Sequence, residues 1–518
     1  MPGDEPVINP WLIAVSVMLA TFMEVIDTSI ASVALPHIAG SLSATTDEAT
    51  WVLTSYLVAN AIVLPASTWF SLRFGRKRFL LTCIVIFTIS SFACGAATTL
   101  GMILIARTVQ GAGGGALQPL AQSILLESFP PAKRGAAMAM YGLGVVVAPV
   151  LGPTLGGWLT DQYSWRWAFY INIPIGVLTL FMISKFVYDP PYIKNAKPGR
   201  IDGIGLGLLA VWLGALQMIL DKGQEDDWFG AVWIRWAALL LLGSFFAFIV
   251  RELKAERPLV NLQIFRDRNF ALGCVLIGLF GGVIYGVVTL LPLFYQTLLG
   301  YSAAAAGWAV SPRGIGAIFI MPIIGVLTGR MDNRWLIVGG FAIFGLTSLT
   351  MAHLTLDISP STLLWPIIIS GVGSGMVFVP LSTISVGNLR NEQIGNASGL
   401  FNLMRNVGGG VGISLVNTLV ARHAQIHRAQ LVQNLAPQNP AFQQIFRSTE
   451  RAMAAVASPN VAAQRAYGLI QGTLEAQSFA FAYVDVFRFL AVACFGCGGI
   501  VLLMKRVRTH KGAASVGH

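Results

Sequence analysis

Charge is scarce in this chain. Only 11% of its 518 residues are Asp, Glu, Lys or Arg, against roughly 25% in a soluble domain. A soluble protein of this length would form two or three domains, each needing a polar surface, and the charge to cover them is missing. Cysteine is scarce as well: Cys83, Cys94, Cys274, Cys494 and Cys497 all lie in apolar runs. That excludes a disulfide framework, and Cys494-x-x-Cys497, without histidine or carboxylate partners, reads as two small hydrophobes rather than a redox or metal site. No lysine or arginine occurs in MPGDEPVINP before the first apolar run, so the first helix is expected to remain in the protein rather than be cleaved as a signal peptide. No apolar run holds a histidine cluster or a nucleophile–base pair, which argues against a membrane enzyme. A proton-channelling subunit of a redox complex, another reading of a many-helix chain, would carry lysines deep in several runs; here only Lys185 comes near one.

Apolar sequence is abundant: 55% of residues are hydrophobic and the mean hydropathy is +0.69. Runs of about 20 apolar residues, the length that crosses a bilayer, predict an all-α polytopic membrane protein of fourteen transmembrane helices. The runs begin near Trp11, Trp51, Leu80, Gly101, Ala136, Ala168, Ile201, Ala231, Phe270, Ala303, Trp335, Thr362, Gly399 and Ala482. The net charge of +11 sits in short clusters between these runs, not on a continuous basic face, so it speaks for membrane orientation rather than nucleic acid. Segments that face the cytoplasm if both termini do so carry 21 lysines and arginines, against two in the short outer loops. Both termini are therefore expected in the cytoplasm.

The spacing hides a repeat. Trp51, Pro65 and Arg73 recur 257 residues later as Trp308, Pro322 and Arg330. Pro36, expected to close the first helix, recurs as Pro292, and the glycine run from Gly111 recurs from Gly371, as Gly135 does at Gly395. Two parallel six-helix bundles are predicted, residues 1–195 and 258–518, with two additional helices inserted at 196–257. Parallel halves related by an axis along the membrane normal are a transporter architecture, with substrate bound between them. The run Gly111-Ala-Gly-Gly-Gly115 lacks a preceding strand and a following lysine, so it reads as close helix packing rather than a nucleotide loop.

At these motifs the chain resembles the major facilitator superfamily, in particular its fourteen-helix drug:proton antiporter branch and the EmrB-like multidrug exporters. Asp27-Thr-Ser-Ile-Ala-Ser-Val-Ala-Leu-Pro36 resembles that branch's first-helix signature, and Trp51-Val-Leu-Thr-Ser-Tyr-Leu its second-helix opening. Arg107-Thr-Val-Gln-Gly111 resembles the fourth-helix arginine motif, and Gly144-x-x-x-Ala148-x-x-x-Gly152-Pro153-x-x-Gly156-Gly157 the fifth-helix motif of exporters. Leu72 stands where the superfamily's loop after helix 2 usually has aspartate, and Glu24 where EmrB-like chains often have glutamine. The resemblance implies a proton-coupled exporter of amphipathic drugs in the bacterial inner membrane, with no cofactor, driven by the proton motive force. The alternative substrate is one physiological metabolite, a fatty acid or a siderophore-like compound. The resemblance also implies an EmrA-like periplasmic membrane-fusion adaptor and a TolC-like outer-membrane channel as partners.

Depth singles out the acids. At about 1.5 Å per residue Asp27 lies roughly 24 Å from the inner end of its helix, and Arg107 roughly 9 Å below the outer boundary. The two reach one layer from opposite directions, and an ion pair would explain how both are tolerated. Asp27, Glu24 and Arg107 are the expected proton-coupling residues; a fixed structural pair is the alternative for Asp27 and Arg107, and a substrate-facing acid the alternative for Glu24. Tyr56, Asn60, Gln110, Tyr285, Arg313, Phe378 and Arg405 are the expected substrate-lining residues. Arg73, Gly75 and Arg76 after helix 2, and Pro149, Gly152, Pro153, Gly156 and Gly157 in helix 5, are the expected gating residues. Asp485 and Arg488 are expected as a local pair, and His423 with His427 alone do not make a metal site. The polar segment 422–480, with nine glutamines, is expected as a long outer loop, either solvated or a docking surface for the adaptor.

Overall fold

A computed structural model describes residues 9–194, 199, 201–255, 258–436, 438–455 and 458–506. Lys197, Arg200, Arg257, Pro437, Arg508 and Lys511, together with the expected division points at 195–196 and 257, lie outside these residues. Every long element described is a helix, the form that satisfies all backbone groups within a segment where no water can do so.

The first bundle holds α1 (Pro10–Ser41), α2 (Thr46–Phe74), α3 (Arg76–Ala96), α4 (Leu100–Gly114) and α5 (Leu117–Ser128). It continues with α6 (Arg134–Gly142), α7 (Ala148–Gln162), α8 (Trp167–Tyr170), α9 (Asn172–Phe186) and the short α10 (Pro191–Lys194). A packed pair follows, α11 (Gly203–Lys222) and α12 (Val232–Lys254). The second bundle holds α13 (Arg268–Thr297), α14 (Ala303–Val310), α15 (Pro312–Leu327), α16 (Asn333–Met351) and α17 (Pro360–Ser385). It ends with α18 (Asn391–Val432), α19 (Pro440–Ala454) and α20 (Pro459–Val501).

Among the described residues, 12 helices are long and apolar enough to cross a membrane. The run from Gly101 is not one of them because a turn at Gly115–Ala116 divides it into α4 and α5, of 15 and 12 residues. The run from Gly399 belongs to α18, whose 42 residues include too many polar side chains. Three expectations are corrected. Pro36 does not close the first helix, since α1 continues to Ser41. Pro292 likewise lies inside α13. Segment 422–480 is not a long loop: α18 runs unbroken to Val432, α20 begins at Pro459, and α19 packs on α20. Phe446 lies 4.4 Å from the Tyr467 ring, with Phe442 buried beside them. Alanine, glutamine and arginine are good helix formers in water as well as in lipid, so polarity ended the apolar run without ending the helix.

The repeat is visible in the packing. A β-carbon at Gly111 would lie 2.3 Å from the Tyr56 carbonyl oxygen, and one at Gly371 2.0 Å from that of Arg313. Gly113 abuts Cys83 and Phe87 of α3, as Gly373 abuts Gly340 and Phe344 of α16. All three of these partners on the second side stand 257 residues after their counterparts. The contacts between bundles repeat too: Gly135 approaches Gly325, and Gly395 approaches Thr68. At the other face of the molecule Gly157 packs on Ala304, and Gly307 on Pro153 and Thr154. The bundles thus touch at both ends of the space between them. The α11–α12 pair sits at the seam: Thr54 of α2 donates to Asp221, and Ser414 of α18 donates to the Leu220 carbonyl at 2.9 Å. Outside the spans, Asp202 is held below the usual carboxylate range chiefly by its hydrogen bond from Arg251, 2.9 Å away.

Candidate functional site: a buried acid network and the cleft between bundles

Local capping sets the register of the first bundle's polar residues. Thr99 caps α4 by accepting from Met102 N–H at 3.3 Å, which places Arg107 two turns into the helix. Thr45 and Glu48 form a reciprocal capping box at the start of α2, which carries Tyr56 and Asn60 inward.

Asp27 and Arg107 are wholly buried and form an ion pair, Nη1 to Oδ2 at 2.6 Å. The expected meeting from opposite directions is present. Asp27 Oδ1 also accepts from Gln110 Nε2 at 2.9 Å and from Asn172 Nδ2 at 2.6 Å. Arg107 donates through Nε to the Val52 carbonyl at 2.9 Å and through Nη1 to Gln110 Oε1 at 2.9 Å, with its guanidinium 4.2 Å above the Tyr56 ring. Charges taken this far from water need such pairing, because one left unpaired costs several kcal/mol; Arg107 Nη2 alone among the guanidinium nitrogens makes no hydrogen bond.

Glu24, one turn away and 4% exposed, serves a second network. It accepts from Asn60 Nδ2 at 3.0 Å and Tyr56 hydroxyl at 3.4 Å, and from Gln118 Nε2. Gln118 Oε1 in turn accepts from Arg405 of α18. Beside this chain, Tyr141 donates to Asn402 Oδ1 at 3.2 Å and Asn402 donates to Gln122 Oε1 at 2.6 Å. A carboxylate in the first bundle is therefore linked through one amide to a guanidinium in the second. The second bundle has no copy of the acids, for Phe280, Val283 and Ile367 stand at the repeat positions of Glu24, Asp27 and Arg107.

The cleft beside this chain is apolar with two cations. Val145, Val146, Pro149 and Val150 line one wall, and Phe280, Ile284, Tyr285, Val288 and Phe378 the other, with Arg313 and Arg405 reaching in. Arg313 is buried and donates to Ser370 at 3.1 Å, leaving Nη2 without a hydrogen-bond partner. Arg405 likewise leaves Nε and Nη1 unpartnered. The Tyr141 and Phe378 rings stack 6.0 Å apart across the bundles. Of the expected lining residues, Tyr285, Phe378, Arg313 and Arg405 meet here; Tyr56, Asn60 and Gln110 belong to the acid networks instead.

Helix α7 is preceded by a π turn at Leu143–Val147. Pro149 has no N–H and its ring clashes with the carbonyl four residues earlier, so the ladder widens there. Gly152 and Gly156 pack on Ser29 and Ile30 of α1, and the Ser29 hydroxyl donates to the Pro149 carbonyl at 3.0 Å. After α2, Gly75 turns the chain at φ +86°, and Arg73 lies exposed in the last turn of α2. Arg76 makes a bidentate pair with Glu127 at 3.0 Å and also donates to Tyr192, while Lys77 N–H donates to Asp189 at 2.7 Å. With Leu72 in the usual aspartate position, these acids within the same bundle hold the basic loop.

Asn172, Gln118, Gln122, Tyr141 and Asn402 were not foreseen. Each is an uncharged polar residue in an apolar run, and only its helical spacing from a charged residue, such as Asn402 three before Arg405, could have marked it. Asp485 meets Arg488 at 3.4 Å as expected, and also meets both His423 and His427.

Residues 17–413 match the family model described as Major Facilitator Superfamily. The chain is 38% identical over 480 residues to the fatty acid resistance protein FarB of Neisseria gonorrhoeae, covering 92% of each chain. It is 37% identical over 442 residues to the multidrug export protein EmrB of Escherichia coli K12, covering 85% of this chain and 86% of that one. The solved structure of the human organic anion transporter MFSD10 superposes with a TM-score of 0.61 at 13% identity, over 96% of this chain and all of that one, which shows the shared fold. With its many apolar helices, its duplicated bundles and these relatives, the chain belongs to the major facilitator superfamily as an EmrB-like, multi-pass membrane transporter, not an enzyme.

Proposed function

We propose that this protein is a proton-coupled antiporter that exports amphipathic, mostly apolar compounds across the bacterial inner membrane by alternating access. In this reading it has fourteen spans, α4–α5 and α18 completing the set, and both termini lie in the cytoplasm. The chain Glu24–Gln118–Arg405 carries the proposal. Access from either face requires the bundles to part, and parting takes Arg405 away from Gln118. A buried carboxylate deprived of its cationic neighbour is neutralised by a proton, and one that regains it releases that proton. The energies match: 100 mV is worth about 2.3 kcal/mol per charge, and a shift of one to two pKa units is worth about 1.4–2.8 kcal/mol. The Asp27–Arg107 pair gives a second exchangeable acid in the same bundle.

A narrower substrate reading is supported by the cleft. Two arginines with unpartnered nitrogens in an apolar wall fit an amphiphile with an anionic head, and a relative is a fatty acid resistance protein. Export of one such acid is the alternative to multidrug export. In double-membraned cells the α18–α20 extension is the proposed contact for a periplasmic adaptor, itself coupled to an outer-membrane channel. The test is substrate efflux from proteoliposomes under an imposed pH gradient, together with a susceptibility panel on cells with and without a matching adaptor. Efflux indifferent to the gradient would overturn the coupling, and indifference to every compound would overturn the transport reading.

A further inference from the structure

His423 and His427 sit one turn apart on α18, and Asp485 faces them from α20. His423 Nδ1 lies 3.1 Å and His427 Nε2 2.8 Å from the same oxygen, Asp485 Oδ2. The three donor atoms all lie within 4.8 Å of one another. We infer that His423, His427 and Asp485 form a binding site for a divalent transition-metal cation of the zinc class, clamping α18 to α20 where both helices leave the apolar bundle.

The donor set fits the ion. Two imidazoles and one carboxylate suit zinc and its neighbours, whereas magnesium and calcium want oxygen donors alone. Tetrahedral zinc with bonds of about 2.0–2.2 Å holds its donors roughly 3.3 Å apart; two of the three separations here are near that already, and the third lies within 4.8 Å. One carboxylate and two neutral imidazoles leave a complex of modest positive charge. The side chains are 37%, 23% and 26% exposed for His423, His427 and Asp485, so an ion can enter from water and keep a water molecule as fourth ligand. Surrounding groups fix the ligands: Arg488 lies 3.4 Å from the other oxygen, Asp485 Oδ1, and the Phe481 ring packs 5.5 Å from His427. Such support orients the ligating atoms toward one point. The single helix α18 supplies both histidines at i and i+4, a spacing that puts two rings on one face.

The site takes no part in the acid networks or the cleft, so its test stands apart from the transport reading. Untagged full-length protein in detergent, stripped with a chelator, is titrated with Zn²⁺ by calorimetry and with Co²⁺ by visible absorption. One ion per chain is expected, with the intense visible bands of four- or five-coordinate Co²⁺. His427→Gln and Asp485→Asn should each weaken binding by about a hundredfold or more, since even loss of a supporting contact costs about 10–100-fold. Zinc should raise the Tm of the unaltered chain and leave that of either variant unchanged. The Co²⁺ spectrum needs no variant and so holds even if one folds poorly. Absence of saturable binding, a weak octahedral spectrum, or equal affinity in His427→Gln would show that the three residues are only a hydrogen-bonded cluster.

Discussion

Tyr56 and Arg313 hold the same place in the two bundles, each presenting its carbonyl to the first glycine of a glycine run, Gly111 and Gly371. Their side chains have parted ways. Tyr56 donates to Glu24 and lies under Arg107, whereas Arg313 reaches into the apolar cleft. One copy of the repeat handles buried charge in pairs, and the other offers unpaired cations to whatever enters between them.

Asp27→Asn should abolish pH-driven efflux in proteoliposomes. Because Arg107 is wholly buried, the same change leaves a lone cation and should destabilise the fold by about 3–5 kcal/mol. Asp27→Asn combined with Arg107→Gln should recover much of the Tm but none of the transport. Full coupling in either variant would take Asp27 out of the mechanism.

Glu24 does not line the cleft and bonds to Asn60, Tyr56 and Gln118. Glu24→Gln should therefore lower resistance to cationic, neutral and acidic compounds alike, with binding of each retained. A loss confined to cations in the susceptibility panel would make Glu24 a substrate-facing acid.

Arg313→Met keeps an unbranched apolar stem while removing an incompletely bonded charge, so stability should hold or rise. A charge-assisted hydrogen bond is worth about 1.5–3 kcal/mol, and acidic amphiphiles should bind about 10–100-fold more weakly while neutral ones change little. Equal affinities for acids before and after the change, measured by tryptophan quenching or calorimetry, would exclude Arg313 as their anchor.

Replacing residues 433–458 by a short linker removes α19 and leaves the bundles intact. Transport in proteoliposomes should be nearly unchanged, and whole-cell resistance in double-membraned bacteria should be lost if the extension docks an adaptor. Undiminished resistance would leave the extension without that role.

Much of this was legible because charge in an apolar run has few places to go. The depth of Asp27 and Arg107 predicted their meeting, and the recurrence of the glycine run 260 residues on predicted the duplicated packing of Gly113 and Gly373. What stayed hidden has physical reasons. Hydropathy reports the solvent around a segment and not its backbone, so the helices beyond Arg422 read as a loop. Asn172 is one neutral side chain among apolar ones, and nothing in sequence says that it points at Asp27. Asp485 lies about sixty residues from His423 and His427, and only the pairing of α18 with α20 brings them together. The break between α4 and α5 falls in a glycine run already explained by packing.

The helices α18 and α20 run 42 and 43 residues without interruption, about 65 Å each at 1.5 Å per residue. A hydrocarbon core takes up roughly 30 Å of each; on α20 that leaves an arm of about 30 Å before the run at Ala482, rooted directly in the second bundle, and α18 reaches about half as far beside it. A stiff arm has no joint in which to lose a rotation. If that bundle rocks by about 15°, a common size for rigid-body rotations, the tip travels about 8 Å. The extension is thus a lever that turns small tilts inside the membrane into a displacement large enough for another molecule to feel.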